Sequence, residues 1–395
     1  MNSKRYMPIL DWTKISVSAP GSFVLVGEYA DLYDKDAIAI TVDRHTTVTI
    51  RTFEKHRLRL NLKNFNDVRE WPTASFTMTR LVKRYNEIFN FTDTTPQILN
   101  HLLNRRYKQQ PTQEVNLSTE SSLDSVAQQS EQVDKSVIAF LMLYLALGDS
   151  YAWSARPSLD VEIESDIPFG RGYGSSSSYG VALCTALMKV FRISAEPAVI
   201  NHWALNVDKY FHGRASGLHT SAIVYGGYVY FQNGKVKYSG VPHSSLKKVL
   251  FIDTNIRRDY KTVVNILESH QSESSNNLQA TLDSISDSVL MTWRKLNDPF
   301  FRPDSIATHL IACQDRLDAL GLGNENLSDI RSFAANLQLA VKQTKSGQSA
   351  FLIYDDLDNS QVVKDFMVML SGLSYKHESF ITGCKGVKVI SIDSA

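Results

Sequence analysis

Cysteine is scarce in this 395-residue chain. Cys184, Cys313 and Cys384 are far apart, odd in number and without the paired spacing of a zinc site. That excludes a disulfide-built scaffold and predicts a reduced, cytoplasmic protein. Net charge is scarce as well: 42 Lys and Arg stand against 41 Asp and Glu, so no field of one sign draws in nucleic acid or an acidic membrane surface. Any anion site must therefore be local. Long apolar runs are missing too. The most hydrophobic stretch, Val137 to Leu147, is 11 residues, too short to span a bilayer, and predicts a buried helix. Met1 to Leu10 lacks the apolar core of a signal peptide.

The hydrophobic fraction, 43%, supports real cores, and the length suits two domains. Ile15 to Ser18 alternates into Ala19-Pro20-Gly21-Ser22, Phe23 to Val26 resumes an apolar run ending at Gly27-Glu28, and further strand-like segments follow at Ala37 to Val42, Thr46 to Arg51 and Arg57 to Leu62. Pro111 to Lys135, rich in Gln, Ser, Thr and Glu, reads as a long exposed loop that admits a short helix. Asn201 to Phe211 is helical, and Tyr225 to Phe231 is a strand entering the Asn233-Gly234 turn. The domain boundary is expected there, with residues 1–230 before it and 231–395 after it. Beyond it, Leu278, Leu282, Ile285, Val289 and Trp293 mark one amphipathic helix, and Ile306, Leu310, Cys313, Leu317 and Leu320 another. Ala350 to Tyr354 and Val387 to Ile392 supply strands, so the fold class is α+β.

Residues 159–191 carry the chemistry. Leu159 to Glu164 alternates as a half-buried strand, residues 168–178 read Pro-Phe-Gly-Arg-Gly-Tyr-Gly-Ser-Ser-Ser-Ser, and apolar residues from Val181 to Phe191 follow as a buried helix. Gly170, Gly172 and Gly174 let backbone approach a ligand, while Ser175, Ser176 and Ser177 offer amides and hydroxyls at the positive end of the helix dipole. A nucleotide phosphate is the expected ligand. The spacing fits neither a Walker loop nor the dinucleotide fingerprint, and a glycine-serine turn that binds nothing is the alternative.

Three segments together resemble the GHMP superfamily of small-molecule kinases. They are Ala19-Pro20-Gly21-Ser22 running on to Gly27-Glu28-Tyr29, the loop 168–178, and Asp208 to His219 with His212-Gly213 and Ser216-Gly217. The third is most similar to the mevalonate kinase branch. Leu317 to Gly323 and Thr254-Asn255 resemble that branch's second domain. The resemblance implies a two-domain GHMP kinase fold, an N-terminal ribosomal-S5-like domain followed by a C-terminal ferredoxin-like domain, with a left-handed βαβ unit around the loop. It further implies ATP and Mg²⁺ in the cleft, transfer of the γ-phosphate to the hydroxyl of mevalonate, and a homodimer. Its site residues map to the phosphate loop, to Ser176 and Asp208 for the metal, and to Glu28, Tyr29, Tyr179 and Ser216 for the substrate. Tyr179 serves equally as an ordinary half-buried tyrosine of the first helical turn.

Several family residues are replaced. The lysine after Ala-Pro-Gly is Ser22, the catalytic aspartate is His219, the histidine of Gly-Glu-His is Tyr29, and the acidic metal ligand is shortened to Asp208. Where a third glycine-rich motif belongs, the chain reads Thr344-Lys345-Ser346-Gly347-Gln348-Ser349. Phosphoryl transfer asks little of a base, so loss of the aspartate is survivable, but a lost cation beside the phosphate is worth roughly 3 kcal/mol. Arg171 is the candidate replacement, either pairing with phosphate oxygens, blocking the nucleotide site, or pointing to solvent. Lys345 and Lys385 are further cations. His219 is either a general base or a space-filler. Three readings follow: a divergent mevalonate-type kinase, a pseudokinase with a binding or regulatory role, and a kinase for another acceptor.

Overall fold

In the computed structural model, residues 12–52, 56–73, 120–150, 157–242, 248–256, 260–354 and 361–394 are described. Two long strands organise the first part, β1 (Trp12–Val26) and β2 (Ala37–Thr52), joined through a 3-10 turn at Ala30–Tyr33. The remaining strands of that part are β3 (Arg57–Leu62), β4 (Asp67–Pro72), β5 (Leu159–Ser165), β6 (Tyr228–Gln232) and β7 (Lys235–Gly240). Helices α1 (Glu120–Ser150), α2 (Ser175–Val190), α3 (Pro197–His212) and α4 (Leu218–Tyr225) complete it. Next come β8 (Lys248–Asp253), α5 (Tyr260–Leu296), α6 (Ala307–Ala319), α7 (Glu325–Asn336), β9 (Val341–Gln343), β10 (Ser349–Tyr354), α8 (Gln361–Gly372), β11 (His377–Ile381) and β12 (Lys388–Ser394).

One sheet runs β12-β1-β2-β5-β3-β4, with β6 on the early half of β2 and β7 beside β6. The last strand of the chain thus returns to pair with the first. The second sheet, β11-β8-β10-β9, is antiparallel throughout. Its strands alternate as a sheet covered on both faces must. Val249, Phe251, Phe351 and Ile353 enter the core beneath α5 and α6, whereas Leu250, Ile252, Ala350 and Leu352 enter the one beneath α7 and α8. Phe23 of β1 sits edge-on to Phe251 and Phe351, ring centres 5.2 and 5.1 Å away, so the first sheet shares a core with the second.

The predicted helix at Val137 to Leu147 is the buried half of α1. Two expected strands, Ala37 to Val42 and Thr46 to Arg51, are one, because β6 and β5 each pair with half of it. The Pro111 to Lys135 loop is corrected over residues 120–135, which are helical; residues 111–119 lie outside the described set, as does Met1 to Leu10. Ser130, Glu131 and Gln132 lie on the wet face of that helix while Val133 and Val137 pack inward, so polar composition masked an amphipathic pattern. Tyr225 closes α4 instead of opening β6. The Asn233-Gly234 turn is present with both residues at positive φ, 51° and 68°, and the expected boundary at 230/231 falls within β6 of that hairpin. Among the described residues no helix is long and apolar enough to cross a membrane.

A charged pair joins the two sheets. Lys342 of β9 donates to Glu28, just after β1, and both side chains are 0% exposed. Burial pushes the Glu28 carboxyl up, and Lys342 opposes this by charge and hydrogen bond. Removing one member strands a buried charge. Lys342→Met should therefore destabilise the fold by about 3–5 kcal/mol in chemical denaturation, and the double change Glu28→Met with Lys342→Met should recover most of that loss.

Candidate active site

The loop from Asp166 to Gly174 joins β5 to α2. Gly170, Gly172 and Gly174 take φ of 70°, 80° and 68°, a region that only glycine enters without strain. Space is short as well. A Cβ on Gly172 would lie 2.6 Å from Thr344 Oγ1, and one on Gly174 would lie 2.8 Å from Ser22 Oγ. Both walls are tied to the loop: Ser22 N donates to Tyr173 O at 2.9 Å, and Thr344 Oγ1 donates to Arg171 O at 3.0 Å. Gly174 caps α2, and Ser178 N makes a helical bond to its carbonyl at 2.8 Å. The amides of Ser175, Ser176 and Ser177 come before Ser178, the first amide with a helical acceptor, so they present donors where the helix dipole is positive.

Asp208, 5% exposed on α3, faces this helix start. Its Oδ1 accepts from Ser176 Oγ at 3.1 Å and Ser177 Oγ at 2.9 Å, while His212 Nε2, one turn later, lies 2.8 Å from Ser176 Oγ. A carboxylate and a hydroxyl are the hard oxygen donors that magnesium takes alongside phosphate oxygens, so these residues fit that ion. Beside the loop is a small cavity of about 20 Å³, lined by Leu62, Phe65, Ile163, Phe169, Ser175 and Tyr179 among others. Phe65 and Phe169 lie 5.0 Å apart there. The Tyr179 ring borders this cavity while its hydroxyl donates to Ser136 O at 2.6 Å, and burial raises its pKa.

Opposite the loop, Ser22 Oγ and His219 Nδ1 are 2.9 Å apart. Burial in the cleft and the nearby Lys345 ammonium lower the His219 pKa to about 4, although the residue as a whole is only half-buried. The imidazole is neutral at ordinary pH. Tyr29 reaches across to donate to the Lys345 carbonyl, and it does so from a left-handed conformation, φ 64°, unusual for a bulky residue. Lys345 Nζ donates to Asp31 Oδ1 at 2.8 Å and Oδ2 at 2.6 Å. Ser216 also donates to Asp31. Arg171 pairs with Asp253 at the end of β8, which places its guanidinium on a carboxylate of the second sheet.

The geometry thus gathers Ser22, Tyr29, Ser216 and His219 on one side of the loop, Ser176 and Asp208 on another, and Tyr179 by the cavity. Glu28 is separate, sealed against Lys342. Lys385 is exposed. The residues underweighted by sequence are Asp31, Lys342 and Lys345. Their signal was two lysines in and before a segment where the resemblance calls for glycines, opposite two acidic residues of the Glu28 to Asp31 turn.

Residues 136–227 match the description "GHMP kinases N terminal domain". Mevalonate kinase of Bos taurus is 26% identical over 94% of each chain. The mevalonate kinase structure of Methanococcus jannaschii superposes with a TM-score of 0.68 at 16% identity, covering 95% of this chain and 99% of that one. The L. major enzyme, solved in complex with R-mevalonate, gives 0.68 at 14% identity over 96% and 98%. The chain has the GHMP kinase fold, and residues 136–227 are similar to that family's N-terminal domain. The α+β expectation stands on that fold.

His219 yields a pH prediction. Its folded pKa of about 4 lies below the ordinary histidine value of 6.5, so between those values the unfolded chain takes up a proton that the folded protein refuses. Stability should fall as pH drops from 6.5 toward 4, and His219→Asn should flatten that slope in denaturation curves across this window. A second expectation concerns the loop: Gly172→Ala should weaken nucleotide binding at least tenfold in calorimetry, because the added methyl meets Thr344 and the residue must hold a positive φ.

Proposed function

We propose that this protein is an ATP-dependent small-molecule kinase of the mevalonate kinase type, transferring the γ-phosphate to a hydroxyl of mevalonate. The observation that carries the reading is Asp208 gathering the hydroxyls of Ser176 and Ser177 at the helix start beneath a loop of three positive-φ glycines. The loop amides receive the phosphates. Asp208 and Ser176 would hold magnesium, which supplies neutralisation of phosphate charge when bound. Phosphoryl transfer needs positioning and charge more than a strong base, so a neutral Ser22–His219 pair on the acceptor side is compatible with turnover. The relatives named mevalonate kinase supply the acceptor.

A pseudokinase is the second reading, favoured by the same Ser22–His219 bond, since neither a cation at 22 nor a carboxylate at 219 remains there. The two separate in one experiment. The kinase reading predicts MgATP binding by calorimetry together with ADP release that depends on mevalonate, and Asp208→Asn should lower that turnover on the order of a hundredfold. Binding without turnover in folded protein would establish the second reading instead.

A further inference from the structure

The resemblance places a lysine at position 22 and an aspartate at position 219, and this chain holds neither. A buried lysine–aspartate pair nevertheless stands in the same cleft. Asp31 is 2% exposed and Lys345 8%. Asp31 comes from the turn after β1, as Tyr29 does, and Lys345 comes from the turn between β9 and β10, where Thr344 touches the phosphate loop. Ser216 donates to Asp31 and also accepts from the amide of Leu218 at 3.2 Å, the neighbour of His219. Arg214 holds the same two segments together through the Leu32 carbonyl at 2.7 Å. Both Asp31 and Lys345 act on the His219 ring by charge.

We propose that the acid–cation pair of the transfer site has been transposed to Asp31 and Lys345, with the cation delivered from the second domain. This rests on the kinase reading above. Of the four acceptor positions on a carboxylate, the three bonds from Lys345 and Ser216 leave one on Asp31 Oδ1. An acceptor hydroxyl fills it. Asp31 takes the hydroxyl proton as the acceptor oxygen bonds to the γ-phosphorus. The bond from that phosphorus to the β,γ-bridging oxygen breaks with its electrons, and ADP leaves. Lys345 stands beside the negative charge that develops. Tyr29, bonded to the Lys345 carbonyl, fixes the lysine's backbone and is a positioning residue. His219, neutral and bonded to Ser22, fills the room of the former pair.

The test is Lys345→Met with and without Ser22→Lys, read by kcat, ATP affinity from calorimetry and thermal unfolding. Lys345→Met should lower kcat at least a hundredfold with ATP affinity within threefold of the parent, and adding Ser22→Lys should recover at least tenfold. If Lys345→Met does not fold, Lys345→Arg keeps the charge with altered reach and should lower kcat at least tenfold. An active parent whose kcat is unchanged by Lys345→Met, or by Lys345→Arg where only that variant folds, overturns the transposition and leaves the kinase reading standing. A parent that binds ATP without turnover removes both.

Discussion

Two lysines from one short segment, Lys342 and Lys345, reach across the cleft to two acids of one turn, Glu28 and Asp31. Much of the architecture depends on that contact. Buried charges stay charged only when paired and hydrogen-bonded. The turn after β1 and the β9–β10 segment therefore cannot move independently without exposing an unpaired ion to an apolar interior. Tyr29 adds a third tie between the same two segments. The glycine loop lies between them, held on one side by Ser22 and on the other by Thr344. The constraint that joins the domains also sets the walls of the site.

The replacement pattern in the sequence becomes coherent on this view. Lysines standing in and before a glycine-rich segment would be ruinous in isolation, because each brings a charge into a closed cleft. Glu28 and Asp31 balance them. Arg171 follows the same logic, its charge in the loop answered by Asp253 at the end of β8. Three ion pairs, Lys342–Glu28, Lys345–Asp31 and Arg171–Asp253, thus tie the turn after β1 and the glycine loop to the second sheet.

Much of the frame was legible in the residues. The strand, glycine loop and helix from Leu159 to Phe191 announce themselves by a change of period from 2 to 3.6, and the Asn233-Gly234 hairpin by residues that tolerate positive φ. The helix from Glu120 was hidden because its opening residues are mostly polar, and the sparse apolar positions at helical spacing, Leu123, Val126, Val133 and Val137, are easily read as a loop. The partners of the charges were hidden for a different reason: residues 28 and 342 are over three hundred positions apart, and no local pattern encodes which acid a distant lysine will meet. Arg171 illustrates the limit, since its position in the loop was readable and its carboxylate partner was not.

The most direct measurement is a crystal structure with magnesium, a non-hydrolysable ATP analogue and mevalonate. The account predicts the triphosphate on the amides of Ser175 to Ser177, the γ-phosphate facing Lys345 Nζ, and the acceptor hydroxyl on Asp31. A triphosphate bound elsewhere, or a γ-phosphate at the loop with Lys345 and Asp31 both remote from it and from the acceptor, would contradict it.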